Sequence, residues 1–126
     1  MPLPVAPSTA PFDFGKLRAR QAQEREGLRA EGARLQALVG CVVPPILRRY
    51  GATRGWLFGS IAAGLCHARS DVDLLVLGVP AAAYWAPRHD LEQALDRPVD
   101  LLTQDDDPVM VRKITERGVL IHEPHA

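Results

Sequence analysis

Residues 59–77 are Gly59-Ser-Ile-Ala-Ala-Gly-Leu-Cys-His-Ala-Arg-Ser-Asp-Val-Asp-Leu-Leu-Val-Leu77, a Gly-Ser pair followed after ten residues by two aspartates at the head of an apolar run. The run predicts a β-strand, and side chains along a strand alternate between its two faces, so Asp71 and Asp73 share one face. Two like charges about 4 Å apart repel by roughly 1 kcal/mol in water and by roughly 4 kcal/mol at a protein surface. A cation between the two carboxylates is therefore expected.

The type of cation and its ligand can be predicted from the surrounding residues. Magnesium takes oxygen ligands and is commonly held by one or two carboxylates together with substrate phosphates. Upstream, Trp56-Leu-Phe58 is expected to be a buried strand that ends at Gly59 and Ser60. Glycine lets the backbone approach a phosphate closely, N–H groups at the start of the next helix would face the anion, and the Ser60 hydroxyl adds a donor. We interpret the stretch as a metal-dependent nucleotide-transfer site.

A third acid, Asp100, lies in a second short apolar run, Pro98-Val-Asp-Leu-Leu-Thr103. We expect this run to pair beside the strand of Asp71 and Asp73 and to present its carboxylate to the same metals. In a two-metal site one ion lowers the pKa of the attacking oxygen, and the other neutralises the leaving group. Asp100 would then serve to activate an attacking hydroxyl.

Residues 56–77 together with Asp100 resemble the nucleotidyltransferase superfamily. It includes DNA polymerase β, kanamycin nucleotidyltransferase and, at this chain length, the minimal nucleotidyltransferase (MNT) proteins. The family is marked by Gly-Ser, ten residues, Asp-x-Asp and a later third Asp, and the resemblance covers about residues 46–123. It implies an α/β (α+β) nucleotidyltransferase fold, in which a small mixed β-sheet is flanked by helices.

The resemblance also implies a role for each position of the motif. Gly59 and Ser60 would hold the β- and γ-phosphates of ATP, the substrate. Asp71 and Asp73 would bind two magnesium ions (Mg2+), and Asp100 would complete the catalytic metal site. These three aspartates are thus the expected catalytic and metal-binding residues.

The chain departs from the family pattern just after Gly-Ser. MNT proteins often have an Arg-rich stretch there, whereas Ile61-Ala62-Ala63 is apolar. Phosphate binding is then expected to use backbone amides, Ser60, Arg69 and Ser70. Because of this departure, the alternative that this chain is a degenerate family member that does not catalyse transfer stays open.

Each of these residues also has a purely structural interpretation. An Asp-x-Asp pair alone is more often a solvated strand edge, and Asp100 could simply be a strand-end acid facing water. Ser60 could be a turn residue or a helix N-cap. The Asp105–Asp107 run is better explained as a loop with an N-cap before Pro108, a favoured first helical residue, than as a second metal site. The combination of Gly-Ser, Asp-x-Asp and a third Asp favours the transfer site.

Length and composition limit the classes of function that are expected for this chain. The 126 residues suffice for one domain with a modest core. The 15 basic and 15 acidic side chains cancel, so direct nucleic-acid binding is not expected. No apolar stretch is as long as a membrane span. Cys41 and Cys66 have no paired spacing, so we expect free thiols in a cytoplasmic protein.

The chain is expected to divide into a flexible arm, residues 1–12, and one nucleotidyltransferase domain, residues 13–126. That domain would begin with a charged helix over about residues 13–43, followed by a break or kink at Pro44-Pro45 and a short helix from Ile46 to Tyr50. The exposed first half of the long helix is either a partner-binding surface or simply solvated. The remaining expected elements are strands at Gly55–Phe58, Asp71–Leu77, Pro98–Thr103 and Val119–His122, and helices at Ala81–Leu95, kinked or split by Pro87, and Pro108–Glu116.

The chain has no room for a second wall that would bind an acceptor, so we expect another molecule to supply it. MNT proteins resemble the antitoxin half of bacterial HEPN–MNT pairs, in which the HEPN-domain partner is an all-helical ribonuclease toxin. The implied reaction is AMP transfer from ATP to a tyrosine of that toxin. Two alternatives stay open: a small-molecule, aminoglycoside-like nucleotidyltransferase acting as a homo-oligomer, and a binding antitoxin without catalysis.

Overall fold

A computed structural model describes residues 13–64 and 71–124 of the chain. The predicted arm, residues 1–12, and the predicted phosphate ligands Arg69 and Ser70 lie outside the described residues. The described helices are α1 (Phe14–Arg49), α2 (Gly59–Ala62), α3 (Trp85–Leu95) and α4 (Pro108–Arg117), with a short 3-10 helix at Ala81–Ala83. The described strands are β1 (Arg54–Phe58), β2 (Val72–Leu77), β3 (Val99–Thr103) and β4 (Val119–His122).

The four strands form one mixed sheet in the order β3-β2-β1-β4. Strand β1 is antiparallel to both β2 and β4, whereas β2 and β3 are parallel. A parallel pair needs a long crossover connection, and α3 lies within the one between β2 and β3. The expected architecture, a small mixed sheet flanked by helices, is confirmed.

Alternating side chains give the sheet two buried faces. One face carries Leu57, Leu74 and Val99 and packs with α1 and α3 into the main core. The opposite face carries Trp56 and Leu75 and packs against Ile114 of α4. Asp73 and Asp100 lie two residues before Leu75 and Leu102 on their strands. Side chains two residues apart on a strand share a face, so both aspartates lie on the α4 face.

Helix α1 is longer than expected and is not interrupted at its prolines. It runs 36 residues through Pro44 and Pro45, so the predicted break there is wrong. The two prolines remove N–H donors to the carbonyls of Gly40 and Cys41, and both of those residues are exposed to water. The buried residues on either side, Gly32, Leu35, Val39, Val43, Ile46 and Leu47, hold the helix on the core. Residues 13–30, by contrast, are all exposed.

The predicted helix over Ala81–Leu95 is split, but at Tyr84 rather than at Pro87. Tyr84 separates the 3-10 helix from α3, and Pro87 is the third residue of α3. The first N–H groups of a helix have no intrahelical partner, so a proline in that turn removes no hydrogen bond.

The remaining elements match their predicted bounds within one or two residues. Asp107 caps α4, since its carboxylate accepts a hydrogen bond from the Val109 N–H at 3.0 Å. The Asp106 carboxylate accepts one from the Thr103 N–H at 2.8 Å. The interpretation of Asp105–Asp107 as a loop with an N-cap is thus confirmed. No helix within the described ranges combines the length and apolar character that crossing a membrane requires.

Candidate active site

Two of the predicted acids lie directly side by side. The parallel register of β2 and β3 pairs Asp73 with Asp100, which confirms the predicted pairing of these two strands. Asp71 comes one residue before β2 and two residues before Asp73, the spacing that places side chains on the same face of a strand. Asp71 and Asp100 are exposed, while Asp73 is half-buried. The fold therefore gathers the three acids at one end of the sheet, on the α4 face.

The electrostatics of Asp73 follow from this arrangement. Burial raises the pKa of the Asp73 carboxyl above its ordinary value, and the charges of Asp100 and then of Asp71 raise this pKa further. No cation of the described residues counteracts these effects. The ionised Asp73 is therefore unfavourable in the folded protein, and an added positive charge would relieve it.

Gly59 connects the Gly-Ser turn to the acids. Phe58, at the end of β1, pairs with Asp73, and Gly59 follows with a left-handed backbone, φ 77°. A Cβ atom at residue 59 would collide with the Oδ2 atom of Asp73. Glycine is thus required for both the backbone conformation and the close approach of the carboxylate. Ser60 follows in the first turn of α2 and is exposed.

Helix α1 packs against the Gly-Ser turn, a contact that the sequence did not predict. The side-chain amide of Gln36 donates hydrogen bonds to the carbonyls of Ile61 at 2.7 Å and Ala62 at 3.3 Å. A Cβ atom at Gly32 would lie 2.5 Å from the carbonyl oxygen of Gly64, so α1 and the turn that follows α2 touch through backbone. The position of the Gly-Ser segment therefore depends on α1.

A pocket of about 350 Å³ opens beside Gly59, between α2 and α4. Its apolar lining includes Phe58, Ala62, Ala63, Met110, Ile114 and Val119. Two cations of α4, Lys113 and Arg117, also line it. Sequence reasoning missed both cations, because only the packing of α4 across the sheet brings them to the Gly-Ser turn. We refer to this space as the α2–α4 pocket.

The predicted metal ligands suit magnesium in their chemistry. Asp71, Asp73 and Asp100 offer carboxylate oxygens, which this ion prefers, and the charges of Asp100 and Asp71 raise the pKa of Asp73. Within residues 13–64 and 71–124, no three His, Cys, Asp or Glu side chains are already grouped closely enough to hold a metal ion. Binding would therefore require the exposed side chains of Asp71 and Asp100 to turn toward Asp73.

Comparison with known proteins identifies the family. A model of the nucleotidyltransferase domain family matches residues 45–122, which is more than half of the chain. No curated protein sequence matches. The resemblance to nucleotidyltransferases is thus confirmed over the range that contains the motif.

Solved structures extend this finding to minimal nucleotidyltransferases. A chain of a toxin–antitoxin complex with AMP-PNP is 28% identical, with a TM-score of 0.57, over 64% of this chain and 70% of that one. A structure described as a minimal nucleotidyltransferase is 27% identical, with a TM-score of 0.55, over 73% of this chain and 93% of that one. A complex of tri-AMPylated HEPN toxin with MNT antitoxin from Shewanella oneidensis is 23% identical, with a TM-score of 0.53, over 71% of this chain and 73% of that one. That last similarity shows a common fold alone.

Proposed function

The chain belongs to the nucleotidyltransferase domain family, and on this premise we propose that it transfers AMP from ATP to a hydroxyl group of a partner protein. The partner would be an all-helical HEPN-type ribonuclease toxin, the acceptor one of its tyrosines, and this chain the antitoxin. The observation that carries the proposal is the alignment of Asp73 with Asp100 beside the Gly59 turn, in a chain of this family.

Two further observations support a protein acceptor. Ser60, Asp71 and Asp100 are all exposed, so the described residues build only one side of a reaction site. A second molecule that brings its own hydroxyl would supply the other side. The relative in the toxin–antitoxin complex with AMP-PNP supports both this kind of partner and an adenine nucleotide as the substrate.

In the proposed reaction, the tyrosine oxygen attacks the α-phosphorus of ATP. The bond between that phosphorus and the α,β-bridging oxygen breaks, pyrophosphate leaves, and the hydroxyl proton passes to water. The acting groups follow the order of the strands: β3 carries Asp100, β2 carries Asp73, and Gly59 comes directly after β1. The phosphates would lie on the Gly59 side of Asp73, and the attacking hydroxyl on the Asp100 side.

The chain's own residues would divide this work. Gly59 lets the Asp73 carboxylate lie against the backbone beside the phosphates, Ser60 would donate a hydroxyl hydrogen bond, and Asp73 and Asp71 would hold the metal on the nucleotide. Asp100 would orient the acceptor hydroxyl. When bound between these carboxylates, magnesium would lower the pKa of that hydroxyl and neutralise the leaving pyrophosphate.

The transferred group identifies the reaction. We would purify the native complex of this chain with its partner and incubate it with magnesium and ATP labelled on either the α- or the γ-phosphate. The partner should gain label from α-labelled ATP only, because AMP retains the α-phosphorus. Label from γ-labelled ATP would instead indicate a kinase, and a complex that gains neither label would contradict the proposal.

Two observations favour a second candidate, an antitoxin that blocks its partner by binding alone. Helix α2 has no basic residue next to the Gly-Ser turn, and the exposed part of α1, residues 13–30, is available for contact with a partner. Such a protein would silence the toxin equally well without ATP. The small-molecule alternative predicts nucleotide transfer to an aminoglycoside without any partner.

A further inference from the structure

The α2–α4 pocket contains two cations that the proposed reaction has not yet used. Lys113 and Arg117 are four residues apart on α4, so they lie on the same side of the helix. Both are exposed, and neither forms an ion pair with another residue in the described part of the chain. Two unpaired cations beside a small pocket are suited to an anion.

The charge of the neighbouring site indicates which anion this is. Asp71, Asp73 and Asp100 make the sheet end strongly negative, and ATP would bring a triphosphate to it. Helix α2 contributes no positive side chain, since it consists of Gly59-Ser-Ile-Ala62. The Asp73 carboxylate fills the space where a Cβ atom of residue 59 would lie, and Gly59 also lines the α2–α4 pocket. A triphosphate that extends past Gly59 from the acids would therefore enter the pocket that Lys113 and Arg117 line.

We infer that Lys113 and Arg117 bind the β- and γ-phosphates of the nucleotide and hold pyrophosphate as it leaves. The inference rests on the proposed function, because it assumes that a nucleoside triphosphate is the donor. The guanidinium of Arg117 can donate two parallel hydrogen bonds to phosphate oxygens, while the ammonium of Lys113 acts as a point charge. In this way α4 supplies the positive charge that the apolar segment after Gly-Ser lacks.

The position of the pocket agrees with this role. Phe58, Met110 and Val119 provide apolar surface around the two cations. The two cations are themselves exposed, so a phosphate can reach them from solvent. The pocket also lies on the β1 and β4 side of Asp73, away from Asp100. It is therefore placed for the leaving group rather than for the acceptor.

Calorimetry with the full chain tests the inference without any transfer. We would titrate Mg2+–AMP-PNP and AMP into the wild type, Lys113→Ala, Arg117→Ala and the double variant. Each single variant should bind AMP-PNP at least about tenfold more weakly, because each loses one or more hydrogen bonds to a charged phosphate. Affinity for AMP, which lacks the β- and γ-phosphates, should change by less than about threefold. Arg112→Ala is the matched control, because Arg112 adjoins Lys113 in α4 but does not line the pocket.

The outcomes separate this inference from the proposed function. Unchanged AMP-PNP affinity in the double variant overturns the inference, even if the wild type transfers AMP. An equal loss of AMP-PNP affinity in Arg112→Ala also overturns it, because the loss would then come from the lower positive charge of α4 and not from the pocket. A double variant that keeps its AMP-PNP affinity but no longer binds the partner would make the pocket a docking site for the partner protein. If both cations contribute to AMP-PNP binding but no AMP is transferred, the inference stands and only the proposed transfer fails.

Discussion

Replacing Asp73 with asparagine is expected to abolish nucleotide transfer while leaving the metal-free protein at least as stable as the wild type. The carboxylate lies between Asp100 and Gly59, so it is the acid best placed to hold a metal on the nucleotide. Loss of a residue that only supports the metal ligands can already cost about 100-fold. Asp73 is an expected ligand itself, so we expect the rate to fall by at least about 100-fold.

The stability expectation follows from the raised pKa of Asp73. A carboxyl with a raised pKa in the folded state is ionised at neutral pH at a cost to folding, and this cost disappears as the pH falls through that pKa. Asp73→Asn removes the charge. Measured with a chelator, its free energy of unfolding should exceed that of the wild type most at neutral pH, and this difference should shrink toward acid pH. Wild-type transfer rates in Asp73→Asn would show that the metal assignment is wrong.

Asp100→Ala is expected to lose most of the transfer rate but to keep most of the affinity for magnesium–ATP. Asp100 lies on β3, one strand further from Gly59 than Asp73 does, and its side chain is exposed. It should therefore act on the acceptor hydroxyl more than on the phosphates. We expect a rate loss of at least about 100-fold with a change in ATP affinity of less than about threefold.

Calorimetry and single-turnover transfer on the same preparation would separate the two effects. Asp105→Ala is a suitable control, since it removes an exposed carboxylate from the loop that follows the other end of β3. A parallel loss of affinity and rate in Asp100→Ala would mean that Asp100 supports the nucleotide site as a whole.

The sheet and its acids could be predicted because they depend on local patterns. Apolar runs around Asp73 and Asp100 predicted two strands, and strand alternation predicted which side chains share a face. The N-cap role of Asp107 followed from the proline after it, and the structure confirms this capping bond. In each case the deciding signal lies within a few residues of the feature.

The features that sequence reasoning missed depend on contacts between distant segments. Gln36 lies 25 residues before the carbonyl of Ile61 that it binds, and no local pattern predicts such a contact. Glycine is unfavourable within a helix, and no local rule shows that Gly32 allows α1 to touch the backbone of Gly64. Local rules also failed at Pro44 and Pro45, because burial of the neighbouring apolar residues keeps α1 continuous.

The mass of the partner protein tests the central claim most directly. The purified partner, incubated with this chain, magnesium and ATP, should gain the mass of one AMP unit or a small multiple on a tyrosine and lose its ribonuclease activity. With Asp71→Asn in place of the wild type, the partner should keep both its original mass and its activity. If the partner is silenced without any mass change, and Asp71→Asn silences it equally well, this chain acts by binding and the enzymatic account is contradicted.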